Sequence, residues 1–392
     1  MQLVNPLTAY PIGARVEDIN DVPMRGVAEK QGVAFSRHGW LEANRSGGDA
    51  DAIGAAVRRA LRPLSEPTLL AAREDYAARN PGLFPRYFII EPTALCNRRC
   101  PFCPIIVTNR HGMMKIDHFD KLMVECSKHE VYGLSLYQLG EPLLWHGKMT
   151  GIYDGTEKRV DISYMINYAK KVGGFRAVNL STNGDVKSLD CIFGSELDDL
   201  FISIDGTTAD VYDANRPSTT PNDAGAFRRT LDRVRDFLEN KSARGGAKPW
   251  VRLQIINKDN TREQVLDFIR YWIAVPGVDD VLVKHLDSMR PWLGLAVVSD
   301  EEDAIKAARV AATPCQHIYS VGSMVADGRF NACCHDAHTE LTTTGANIDN
   351  MTFYEWWNGD YMRALRAEHE TNVAANRRMP CRECREMDTW LG

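Results

Sequence analysis

From Tyr87 onward the apolar and polar positions alternate between two periods. Tyr87–Glu91 reads Tyr-Phe-Ile-Ile-Glu, a short apolar run that predicts a buried strand. A helical pattern follows over 117–129, then a strand Gly133–Gln138 that stops at Gly140-Glu141-Pro142. The same succession repeats: helix Ile162–Val172, strand Ala177–Leu180 ending at Ser181-Thr182-Asn183-Gly184, a helix near Leu189, strand Asp199–Ile204, helix Gly225–Asn240, strand Val251–Ile256, helix Glu263–Ile273 and strand Asp280–Lys284. Strands alternating with helices predict a parallel sheet covered by helices. Six such units fall short of the eight of a closed barrel, so the expected fold class is α/β, a partial (β/α)6 TIM-like barrel. In parallel sheets of this kind, ligands gather at the carboxyl ends of the strands. The polar segments after 138, 180 and 204 all fall there.

The pattern is weaker on either side. Residues 1–83 hold Pro6, Pro11, Gly13, Pro23, Gly26 and a Gly47-Gly48 pair, with helical periodicity only over Ala52–Arg62 and over 66–78. They are expected to form a partly helical extension packed on the main domain. Beyond 295, Asp327-Gly328 predicts a tight hairpin turn between two short strands. The expected division is therefore 1–83 extension, 84–295 barrel core and 296–392 a small α+β domain.

Composition narrows the function. The 392 residues are 44% hydrophobic and 25% charged, an ordinary globular balance, and long enough for a large core without disulfides. The net charge of −5 argues against a nucleic-acid or anionic-membrane partner, both of which need a basic surface. No apolar run approaches the roughly 20 residues of a membrane span, and Met1–Asp18 shows no basic start followed by an apolar stretch. A cytoplasmic location is the expectation.

The cysteines carry the chemistry. Of ten, Cys126 and Cys191 stand alone and read as small buried hydrophobes. Cys96, Cys100 and Cys103 crowd one loop directly after the first predicted strand, with three and then two residues between them. Zinc sites more commonly pair Cys-x-x-Cys knuckles or add histidine. Three thiolates would hold three irons of a [4Fe–4S] cluster and leave the fourth open. Cys315, Cys333, Cys334, Cys381 and Cys384 form a second group, ending in a Cys-x-x-Cys pair that by itself also fits a four-thiolate zinc site.

The loop Cys96-Asn-Arg-Arg-Cys100-Pro-Phe102-Cys103 resembles the cluster loop of the radical S-adenosylmethionine (radical SAM) enzymes. The resemblance covers roughly 87–290 and implies further roles. Phe102 matches the aromatic residue before the third cysteine. Gly140 and Glu141 match the element that holds the methionine amino group of SAM, although Leu139 stands where that element has its first glycine. Ser181 and Asn183 match a segment near the ribose and carboxylate, Ser203 and Asp205 match residues that line the SAM site in that family, and Arg216 matches a position that meets the SAM carboxylate. The tail resembles the SPASM/twitch extension that follows many such cores and carries auxiliary Fe–S clusters. Five cysteines suit one auxiliary [4Fe–4S] cluster, assigned to Cys315, Cys333, Cys381 and Cys384, with Cys334 as the alternative to Cys333.

The resemblance implies an enzyme in which a reduced cluster cleaves SAM and a 5′-deoxyadenosyl radical abstracts a hydrogen atom. An external one-electron reductant of flavodoxin or ferredoxin type is then a partner. Side chains expected at strand ends near the substrate are Tyr137, Gln138, Gln254, Asn257, Lys284, His285 and Asp287. A tail with one auxiliary cluster points to a small-molecule substrate (a sugar, aminocyclitol, nucleoside or other natural product) undergoing oxidation, dehydration or epimerisation. The alternatives are a peptide-modifying maturase and a non-catalytic Fe–S or zinc binding protein.

Overall fold

The computed structural model describes residues 33–36, 84–150, 157–245, 248–258, 260–285, 315, 317–370, 377–378 and 380–384. The helices expected over 52–62 and 66–78, and Asp287, lie outside the described residues.

Six parallel strands form the frame: β2 (Tyr87–Ile90), β3 (Gly133–Leu136), β6 (Ala177–Thr182), β7 (Asp199–Ser203), β8 (Trp250–Asn257) and β9 (Asp280–His285). They lie side by side in the order β9-β8-β7-β6-β3-β2, every neighbouring pair parallel. The expected α/β partial barrel is thus the observed fold. One face of the sheet is fully buried: Phe88, Ile90, Leu134, Leu136, Val178, Leu180, Leu200, Ile202, Leu253 and Ile255, at alternate positions, join one apolar core. Helix α1 (Ile116–Cys126) seals one face with Phe119, Leu122, Met123 and Cys126, spaced to fall on one stripe. Helices α2 (Ile162–Lys171), α3 (Ala209–Asn215), α4 (Ala226–Ala243) and α5 (Val265–Ala274) follow the later strands. Asp161 caps α2 by accepting the Ser163 N–H at 3.0 Å. The helix expected near Leu189 is a single 3-10 turn, Asp190–Gly194.

Among the described residues, five further strands accompany this frame, three of them in the same sheet. Strand β1 (Val33–Ser36), inside the stretch expected to be a partly helical extension, pairs antiparallel with β9. The pair β4 (His146–Thr150) and β5 (Glu157–Asp161) forms a separate two-stranded ribbon. Beyond the barrel, β10 (Val321–Met324) runs parallel to β2, and β11 (Phe330–Asn331) returns antiparallel to β10. Gly328 turns the chain between them at φ +88°, a backbone that glycine adopts without strain. The Asp327-Gly328 hairpin is therefore present, and its first strand completes the barrel's own sheet.

The C-terminal segment is locked to the barrel by polar contacts. Helix α6 (His317–Ser320) leads into β10, and α7 (Phe353–Trp357) and α8 (Asp360–Glu370) follow β11. Thr352 and Glu355 cap α7 reciprocally. Glu125 of α1 is buried and accepts the N–H groups of Phe353 (2.9 Å) and Tyr354 (2.6 Å) at the same helix end. Phe353, Trp356 and Trp357 fill the space between α7 and β11, with Phe353 edge-on to Phe88 of β2 at 5.1 Å.

Candidate functional site

The loop after β2 is laced into place before any cofactor is considered. The Thr93 hydroxyl donates to Gly112 O (2.9 Å) and accepts the Leu95 N–H (3.0 Å). Glu141 N donates to Leu95 O, Arg99 N to Pro217 O and Thr219 N to Asn97 O, each within 3.0 Å. Gly140 is required where it stands: a Cβ there would lie 1.9 Å from the Thr93 carbonyl oxygen. This scaffold presents Cys96, Cys100 and Cys103 together at the carboxyl end of β2, close enough that each thiolate would feel its neighbours' charge. Burial pushes the Cys96 thiol up to about 11 and Cys103 up to about 12, and raises Cys100 as well. Such thiols stay protonated at neutral pH unless a metal displaces the proton. Three adjacent, protein-held thiols with no fourth cysteine beside them fit a cluster that keeps one iron open.

The loop is anchored by a buried charge network that no sequence motif marks. Arg98 has no exposed side-chain surface. It donates to Asp185 at 2.7 Å and to the Arg216 carbonyl at 2.7 Å. Asp185 also receives Arg229 and Arg233 and accepts from the Asn97 amide. The partners are 87 residues apart in the chain, beyond any local pattern.

The strand-end residues expected to line a SAM site surround the loop, each with protein partners. Glu141 is buried; its carboxylate accepts the Thr182 hydroxyl (2.7 Å) and the N–H groups of Asn183 (2.7 Å) and Leu143 (3.1 Å). It thus ties the end of β3 to the end of β6. Desolvation pushes the Glu141 carboxyl above the usual carboxylate range, opposed by those three donors. Asn183 donates to Asn97 Oδ1 (2.8 Å) and points its amide toward Cys96 Sγ (3.9 Å). Gln254 of β8 donates to the Ser203 hydroxyl and, at 3.5 Å, to that of Ser181, so three strand ends share one side chain. Asp205 is buried against Arg216, which donates to it from Nε at 2.8 Å, and accepts Ile256 N–H at 2.8 Å. Arg216 lies 5.9 Å from the Phe102 ring centre and Lys258 Nζ 4.9 Å, so Phe102 is framed by two cations.

Of the expected substrate contacts, Gln138 holds the most informative place. Its amide donates to Cys334 O (2.7 Å) and its carbonyl accepts from Arg110 (2.9 Å). Arg110 pairs at 2.5 Å with Glu91, the residue directly after β2, and both side chains are buried. Glu91 also accepts the Ala326 N–H at 3.1 Å. Glu91, Arg110 and Gln138 therefore form a polar bridge between the barrel mouth and the C-terminal cysteines; only Gln138 was recognisable in advance, from its position after a strand. Tyr137 is half-buried beside it. Asn257 and Lys284 sit at the ends of β8 and β9, and His285 pairs with Asn257 through the backbone register.

The second cysteine group converges as well. The thiols of Cys315, Cys333 and Cys381 lie within each other's electrostatic reach, and Arg377 faces Cys315, Cys381 and Cys384 together. Burial drives the Cys315 thiol up to about 12 and raises Cys381 further. Cys334, next in the chain, is in thiol contact with Cys333 and has its Sγ 4.0 Å from His317 Nδ1. Three converging thiols, with Cys384 beside the same Arg377, fit a four-cysteine cluster.

The fold and site define an open, parallel α/β barrel with a thiol-rich mouth and a cysteine-rich C-terminal cap. No family model matches the sequence, and no curated protein matches it. Solved structures do. The chain is similar to SuiB of Streptococcus suis bound to the precursor peptide SuiA, with a TM-score of 0.53, 12% identity, and 82% of this chain and 72% of that chain covered. It is similar to SuiB bound to S-adenosylmethionine, with a TM-score of 0.50, 12% identity, and 84% and 79% covered. A looser match is BtrN in complex with AdoMet and 2-DOIA, at a TM-score of 0.42, 12% identity, and 78% and 92% covered. The SuiB matches establish the shared fold. Among the described residues, no helix is long and apolar enough to cross a membrane.

Proposed function

We propose that the protein is a radical SAM enzyme acting on a small-molecule substrate. The observation that carries the reading is the trio of Cys96, Cys100 and Cys103, held by a rigid loop at the carboxyl end of β2 within a ring of polar strand ends. The fold shared with SuiB, one of whose structures is bound to S-adenosylmethionine, supports it. A [4Fe–4S] cluster on these thiolates, with SAM on its open iron, would supply a 5′-deoxyadenosyl radical for hydrogen abstraction. The chain's part is to position and to exclude water. Glu141 fixes Thr182 and Asn183, Gln254 aligns Ser181 with Ser203, and the Asp205–Arg216 pair holds Arg216 against Phe102. Cys315, Cys333, Cys381 and Cys384 would hold one auxiliary cluster across the Glu91–Arg110–Gln138 bridge, where a polar substrate would lie between the two centres.

A peptide substrate is the second reading, favoured by one observation: the SuiB structure matched at the higher TM-score is bound to a precursor peptide. The two separate on 5′-deoxyadenosine release by the reduced holoenzyme, offered polyhydroxylated small molecules in one arm and cysteine-containing peptides in the other. The proposal expects release to rise with the small molecules, and deuterium from the attacked carbon to appear in the product. Stimulation by peptides alone would transfer the assignment to the second reading.

A further inference from the structure

One cluster of metal-binding side chains shares only Cys334 with the two cysteine groups. His317, Cys334 and His335 each offer one ligand atom, and these atoms all lie within 4.8 Å of one another. His317 opens α6 and is buried; Cys334 and His335 follow β11 and are half-buried. The two imidazole rings meet edge to face at 5.8 Å, and Cys334 Sγ stands 4.0 Å from His317 Nδ1. Cys333 lies within electrostatic reach of Cys315 and Cys381, and Cys334, whose thiol touches that of Cys333, also reaches the two imidazoles.

From this juxtaposition we propose that His317, Cys334 and His335 bind a zinc ion. A thiolate with two imidazoles is a donor set that zinc takes tetrahedrally, with bonds of about 2.3 Å to sulfur and about 2.0–2.1 Å to nitrogen. Ligand atoms in such a site are roughly 3.5 Å apart, so small rotations within the observed 4.8 Å envelope close it. Three protein ligands leave a fourth position for water or a substrate oxygen, the arrangement of a reactive zinc rather than a purely structural one. The site is also oriented. The Cys334 carbonyl accepts from Gln138, which is held in turn by Arg110 and so by Glu91 at the end of β2. Fixing of a ligand from behind is what tunes a bound metal. The zinc would stand beside the bridge that joins the barrel mouth to the C-terminal cap.

The test is metal analysis of the anaerobically purified holoprotein, grown with added zinc sulfate, with iron measured in the same samples. About one zinc per chain is expected, with a zinc-edge absorption spectrum of one sulfur and two imidazole nitrogens in its first shell. His317→Gln and His335→Gln each remove the zinc and leave iron unchanged. Gln138→Ala weakens zinc affinity roughly 10–100-fold, the usual effect of losing an outer contact. Wild-type protein with only trace zinc, or zinc bound by four sulfurs, overturns the proposal. So does a Cys334→Ser variant that loses iron instead, since Cys334 would then belong to the cluster. The wild-type spectrum decides the matter even where a variant fails to fold. None of these readouts depends on SAM cleavage, so they stand apart from the proposed activity.

Discussion

Asp185 shows what a single side chain contributes here. It is 6% exposed and gathers Arg98, Arg229 and Arg233, while its contact with Asn97 reaches into the first cysteine loop. Removing one partner of a buried ion pair leaves an uncompensated charge, at a cost of about 3–5 kcal/mol. Asp185→Ala is expected to lose that much in urea unfolding and to take up less iron at the first cysteine group. A loss below about 1 kcal/mol, the range of an exposed pair, would mean that the network anchors nothing. Asp199, at the start of β7, works the other way. Burial, with Asp198 and Asp280 nearby, pushes its carboxyl up to about 6 against the opposing pull of Arg252. A folded value above the unfolded one means that the associated stability is complete below about pH 4 and is lost as pH rises through 6. At about 1.4 kcal/mol per unit, Asp199→Asn should stabilise the protein by about 1–3 kcal/mol at pH 7.5 and leave it unchanged at pH 3.5. An equal gain at both values would refer the effect to packing instead of charge.

At the level of elements, the six barrel strands were legible because each is a short apolar run bracketed by polar turns; observed ends such as Gly133–Leu136 and Asp280–His285 lie within two residues of expectation. The Asp327-Gly328 turn was legible from its glycine. What escaped has a physical reason in each case. The ribbon β4–β5 carries charged and exposed residues with no apolar alternation, since its strands face solvent. That β10 would join the sheet beside β2 follows from packing more than 200 residues apart, not from its own four residues. The need for Gly140 arises from Thr93, which approaches it only in the folded chain. Gly140→Ala is therefore expected to displace the loop and reduce iron bound at the first cysteine group, read as iron per chain; full iron loading in that variant would contradict the close approach.

Across the whole molecule, the two cysteine groups are linked through the pairing of β2 with β10 and through Glu91, Arg110 and Gln138. The cysteine spacing pointed to both groups, but the Glu91–Arg110 bridge between them joins side chains that no motif contains. If the groups hold separate clusters, Cys381→Ala should lower iron by about four per chain while SAM cleavage persists; loss of both together would show one interdependent centre. The central claim is tested most directly by counting iron and sulfide in anaerobically prepared protein, then adding SAM and a strong reductant. The account predicts about eight irons per chain and 5′-deoxyadenosine that disappears in Cys96→Ala, Cys100→Ala and Cys103→Ala. Zinc in place of iron on those three thiols, with SAM left intact, would contradict it.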